Sequence, residues 1–106
     1  RCTGMSNFSL KIGGVPYQCA RVGAGEVDPE DPKKWGEFDG AKHSIRYEGD
    51  NSPERVLRTF LHEVCHAIAY EYSIRELTGK SEENPIDQLA HGLAEVLEGL
   101  GVELPI

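Results

Sequence analysis

A chain of 106 residues has room for one domain with a modest core. Its net charge of −7 argues against a nucleic-acid-binding surface, which needs clustered Lys and Arg to meet phosphates. No run approaches the ~18 apolar residues of a membrane span, and no charged-then-apolar leader suggests secretion.

Met5 follows Arg1-Cys-Thr-Gly4, which reads as a vector-derived remnant ahead of the native start, leaving residues 5–106 as a single domain. Cys19 and Cys65 are then the native cysteines. Two scattered thiols do not make a disulfide framework, and a reducing cytoplasm suits them better.

Phe8, Leu10 and Ile12 alternate with polar residues, Gly13-Gly14 offers a tight turn, and Val15, Tyr17 and Cys19 alternate again. This predicts an N-terminal β-hairpin, with Pro16 confined to an edge or to the start of its strand. A phosphate-cradling loop at Gly13-Gly14 lacks the further glycine and the following helix it would need. From Gly23 to Lys34 the chain is an acidic loop punctuated by Gly23, Gly25, Pro29 and Pro32, a natural place for a flap. Asp28, Glu30 and Asp31 in it do not have the spacing of a Ca²⁺ loop.

Trp35 and Phe38 open a second extended region that breaks at Asp39-Gly40, and His43, Ile45 and Tyr47 alternate after it, predicting another hairpin. Ser52-Pro53-Glu54 then starts a helix, as N-cap, first helical residue and acid at the positive end of the dipole. The helix should run to about Tyr72, with Leu57, Phe60, Leu61, Val64, Ile68 and Tyr72 as its core stripe. A connection from Ser73 to Glu83 contains Gly79. Asn84-Pro85 begins a second helix, whose stripe is Ile86, Leu89, Ala90, Leu93, Val96, Leu97 and Leu100 and whose end is loosened by Gly99 and Gly101. The predicted class is α+β: a small antiparallel sheet of three or four strands followed by two helices.

The first helix carries His62-Glu-Val-Cys-His66. Histidines four apart lie about one turn apart on one face, where both imidazoles can bind one Zn²⁺, and Glu63 can act as general base on a water the metal activates. His62 and His66 fall almost opposite the core stripe, with Arg55, Thr59, Ala69 and Ser73. That position suits an open cleft, and equally suits polar residues with no chemistry. A catalytic zinc usually takes three protein ligands. Asp87, on the shoulder of the second helix's stripe, is the first candidate for the third, followed by Glu83 and then His91; Glu95 lies further round, and His43 could reach in from the strands. Cys65 points toward the apolar side as a small buried residue.

The run Thr59-Phe-Leu-His-Glu-Val-Cys-His-Ala-Ile68 with Ile86-Asp-Gln-Leu-Ala-His-Gly-Leu-Ala-Glu-Val-Leu97 resembles small phage- and prophage-encoded zincin-like proteins of the ImmA/IrrE type. Lys11-Ile-Gly-Gly-Val-Pro-Tyr17 and Trp35-Gly-Glu-Phe-Asp39 extend the likeness over most of residues 8–100. The resemblance implies a minimal zincin-like domain over residues 5–106, with His62 and His66 as zinc ligands, Glu63 as catalytic glutamate and an acidic third ligand at Glu83 or Asp87. The long C-terminal region of larger members has no counterpart here.

The expected activity is zinc-dependent peptide-bond hydrolysis on a peptide or protein substrate, in the cytoplasm of a bacterial host if the chain is phage-encoded. Tyr70, Tyr47 and His43 are candidate oxyanion donors. One rival is a zinc-binding adaptor or inhibitor of a host protein that catalyses nothing. Another is a metal-free interaction domain in which the motif is coincidental.

Overall fold

The computed structural model describes residues 7–74 and 83–106. The expected remnant at Arg1–Gly4, the expected start at Met5 and the part of the connection that contains Gly79 lie outside the described residues. Those described form strands β1 (Asn7–Ile12), β2 (Val15–Val22), β3 (Gly36–Asp39) and β4 (Ser44–Glu48), then helices α1 (Pro53–Glu71) and α2 (Glu83–Leu100). The class is α+β, as expected. None of the described helices is long and apolar enough to cross a membrane.

β1 and β2 pair antiparallel with Ile12 opposite Val15, leaving a two-residue turn. Both turn residues have positive φ, 61° at Gly13 and 80° at Gly14, the conformation that matches the twist of the flanking strands and that glycine adopts at least cost. Pro16 faces Lys11, and the pairing of β2 with β4 begins only at Gln18, so its missing N–H removes no ladder bond on that side.

The sheet order is β1-β2-β4-β3, and β2 and β4 run parallel. The sheet is therefore mixed, not antiparallel throughout. The 23–34 loop carries the chain past the position next to β2 to the far edge. β3 runs there, and the hairpin returns β4 alongside β2. Inside-outside alternation is the same for both pairing directions, so the pattern could not reveal this.

That loop is tied down. Val27 is 1% exposed. The Arg46 guanidinium donates to the carbonyls of Glu26 and Val27. The acids close its turns: Asp28 accepts from the Glu30 N–H and Asp31 from the Lys33 N–H. The flap expected here is an anchored loop.

Tyr17, Cys19, Ile45 and Tyr47 are fully buried on the face of the sheet that meets α1. Phe60 seals the contact, its ring 5.3 Å from Tyr47 and 5.7 Å from Phe8. Ser52 caps α1 as expected, its Oγ accepting from the Arg55 N–H at 3.3 Å. The buried positions of α1 are Val56, Phe60, Leu61, Glu63, Cys65, Ala67 and Ala69, a wider set than one stripe. The reason is that α1 lies between the sheet and α2 and is covered from both sides. Tyr72, expected in the core, is 63% exposed at the helix end.

α2 departs further from its expected face. It buries Ile86, Ala90 and Ala94, while Leu89, Leu93, Val96 and Leu100 stay exposed. Small alanines let the two helices approach closely, which turns the bulkier half of the apolar arc outward.

Candidate metal centre

Helix α1 brings the two histidines together. Nε2 of His62 and Nε2 of His66 are 3.2 Å apart, and the rings meet edge to face with centroids 4.8 Å apart. β3 forms one wall: the Phe38 ring stacks on His66 at 6.5 Å, with 9° between the planes. α2 forms the other wall. Asp87 sets Oδ1 3.4 Å from Nδ1 of His62 and Oδ2 3.8 Å from Nε2 of His91. A carboxylate at Nδ1 favours the tautomer that keeps the proton there and leaves Nε2 the lone-pair nitrogen.

Glu63 is 8% exposed although it neighbours the cleft. The cause is the close passage of β3, since a Cβ at Gly36 would lie 2.8 Å from Oε2 of Glu63 and 2.8 Å from Cγ2 of Thr59. Two cavities, of about 510 Å³ and about 380 Å³, flank this point, and both are lined by Gly36, His62 and Glu63. The larger extends along α1 toward its N-terminus, past Trp35, Arg55 and Arg58. The smaller extends past Phe38 and His66.

Two imidazole nitrogens on one tetrahedral Zn²⁺, each at ~2.1 Å, stand about 3.4 Å apart. The His62–His66 pair fits two corners of such a site. Asp87, the first candidate for a third ligand, is placed at Nδ1 of His62, and the described residues include no group of three His, Cys, Asp or Glu side chains gathered to hold a metal. The side chain of Glu83, the alternative, lies outside the described residues. His91 lines the larger cavity and sets its Nε2 3.8 Å from Asp87 Oδ2.

Other candidates are elsewhere. Tyr47 is fully buried against Phe60, so it is no oxyanion donor. His43 sits in the β3–β4 turn with φ 52°, not on a strand, and its Nε2 is 4.0 Å from Glu71. Tyr70 packs on Phe38 at 5.5 Å, and neither it nor His43 lines the two cavities. Cys65 is buried in the core cluster, as its place on the apolar side of the helix predicts.

The residue that sequence reasoning missed is Gly36. A glycine opening a strand pattern is a signal of close backbone approach, so the clue was present. What approaches it was not.

Comparison with protein-family models, curated proteins and solved structures finds no match to this chain. The functional argument therefore rests on its own residues.

Proposed function

We propose that this domain is a zinc-dependent peptide hydrolase centred on His62, Glu63 and His66. The observation that carries the reading is the 3.2 Å approach of the two Nε2 atoms beside a cleft that Glu63 also lines. A bound Zn²⁺ would polarise the scissile carbonyl and acidify water. His62 and His66 would hold the ion, and the Asp87 carboxylate, 3.4 Å from Nδ1 of His62, would orient that ring. Glu63 accepts a proton on its carboxylate and returns it to the departing amine. Glu83 or Asp87 would supply the third protein donor; residues 83 and 87 are one helical turn apart on α2.

The test is metal analysis of protein purified without added zinc, followed by peptide cleavage by the wild type and by Glu63→Gln. Stoichiometric zinc in both, with cleavage by the wild type alone, supports the reading. Retained cleavage by Glu63→Gln sinks the mechanism. Protein that carries less than about a tenth of an equivalent of metal and shows no thermal shift with zinc removes the metal site altogether.

A second reading is a zinc-binding adaptor without catalysis. It is favoured by the exposed row Leu89, Leu93, Val96 and Leu100 on α2, the type of surface that partner proteins cover. Stoichiometric zinc with no cleavage of any peptide pool would favour it.

A further inference from the structure

We propose that the larger cavity is a carboxylate-recognition subsite in which Arg55, Arg58 and Lys33 bind an acidic group of the peptide. That the carboxylate belongs to a peptide being cleaved rests on the hydrolase reading; the subsite itself does not.

The chain carries 18 acidic and 11 basic residues, yet three cations line this one cavity. Its acids are already engaged. Glu54 lies 3.3 Å from Arg58. Asp87 faces His62 and His91. Glu63 is buried where β3 passes over it. Among the described residues, no carboxylate lies within ion-pair distance of Arg55 or Lys33. Arg55 is instead held over the Trp35 ring, 4.4 Å from its centroid. An aromatic face fixes a guanidinium without neutralising it, so the charge stays available to a ligand.

Arg58 is shared with Glu54 through Nη2, 3.3 Å away, so its contribution comes from the donors that pair leaves over. Its Nε is buried and has no hydrogen-bond partner. The remaining donors of a planar guanidinium can bind a carboxylate in bidentate fashion, which is why arginine serves this recognition better than lysine. The N-cap Ser52 also lines the cavity, so the positive end of the α1 dipole adds to the same potential.

The cavity shares His62 and Glu63 with the proposed reaction centre. A carboxylate bound here therefore sits within a residue or two of the scissile bond. It is supplied by an Asp or Glu side chain or by a free C-terminus.

Trp35 is the only tryptophan of the chain and lines the cavity, so its fluorescence reports occupancy. The test titrates zinc-loaded, full-length Glu63→Gln with acetyl-Ala-Glu-Ala amide, acetyl-Ala-Gln-Ala amide and acetyl-Ala-Ala-Ala with a free C-terminus. At least one of the two charged peptides should bind about tenfold tighter than the neutral one, and which of them does identifies the source of the carboxylate. The preference should fall below about twofold when Arg55→Gln or Arg58→Gln is added, and Arg55→Lys should keep part of it. Equal binding of charged and neutral peptides, binding of none, or a preference unchanged in both Gln variants overturns the subsite. Cleavage by the zinc-loaded wild type, measured separately, tests the hydrolase reading. Cleavage without acidic preference defeats the subsite alone, and charged-peptide binding without cleavage of any peptide defeats the hydrolase alone.

Discussion

A Cβ on Gly36 would meet Oε2 of Glu63 at 2.8 Å: β3 crosses α1 directly over the proposed general base. Gly36→Ala must push Glu63 or Thr59 aside or lift the edge strand. An overpacking cost of ~1–3 kcal/mol is expected. Thermal unfolding should show the loss, zinc should stay bound at one equivalent, and hydrolysis should fall by more than stability alone explains. Unchanged melting temperature and activity would mean that β3 does not fix Glu63.

The Asp87 carboxylate at Nδ1 of His62 makes a different prediction for metal affinity. An outer partner of a ligating histidine is worth roughly 10–100-fold in affinity. Asp87→Asn should weaken zinc binding by about that factor in a competition assay and keep one equivalent at saturation, whereas His62→Ala should abolish stoichiometric binding. Loss of stoichiometric zinc in Asp87→Asn would instead make Asp87 a direct ligand.

The two helix ends form a natural comparison. After α1 the N–H of Ile74 bonds the Ala69 carbonyl at 2.9 Å and that of Ser73 bonds the Tyr70 carbonyl at 3.3 Å, with Ser73 at φ 52°. After α2 the same pair of bonds forms around Gly101 at φ 69°. A side chain in the left-handed region costs roughly 1 kcal/mol that glycine avoids. Ser73→Gly should therefore stabilise the fold by up to that amount in a denaturant titration. A destabilised variant would show that the serine side chain contributes more than its backbone costs.

Substitutions on α2 should separate its two apolar rows. Ile86 is fully buried and Leu93 is 38% exposed. Ile86→Ala should cost ~2–5 kcal/mol, whereas Leu93→Gln should change stability by about 0.5 kcal/mol or less. A large cost for Leu93→Gln at high protein concentration only would point to self-association through that row.

Stability should fall at alkaline pH. Burial pushes the Cys19 thiol up from 9.0 to about 11 and the Tyr47 phenol up from 10.0 to about 12, and burial together with the Glu71 hydrogen bond raises Tyr17 further. These groups stay protonated in the folded chain while the unfolded chain loses its protons, so their contribution is full below about pH 9 and declines as pH rises toward the folded values. Denaturant midpoints from pH 7 to 11 should be level to about 9 and then drop. In the native state Cys19 and Cys65 should resist a thiol reagent that labels both after unfolding. Rapid native labelling of Cys19 would contradict its burial.

The local elements were legible because their causes are local. Gly13-Gly14 needs no tertiary partner to prefer a tight turn, Ser52-Pro53-Glu54 favours a helix start by its own capping chemistry, and histidines four apart share a helical face by geometry alone. The hairpins, both helices, the burial of Cys65 and the His62–His66 pair followed from these. Arg55 and Thr59 were likewise placed on the histidine side, and both line the larger cavity.

What depended on the rest of the chain was hidden. The parallel pairing of β2 with β4 follows from the path of the 23–34 loop, and alternation carries no sign of strand direction. Which of two apolar rows α2 buries depends on how closely Ala90 and Ala94 let it approach α1, and a helical wheel does not contain that separation. The sequence alone determined that His62, Glu63 and His66 would lie together on a helix. Only the tertiary structure decided that β3 would cover Glu63 at Gly36, that Asp87 would stand at Nδ1 of His62, and that Trp35, Arg55 and Arg58 would line one cavity, because those contacts join segments far apart in the chain.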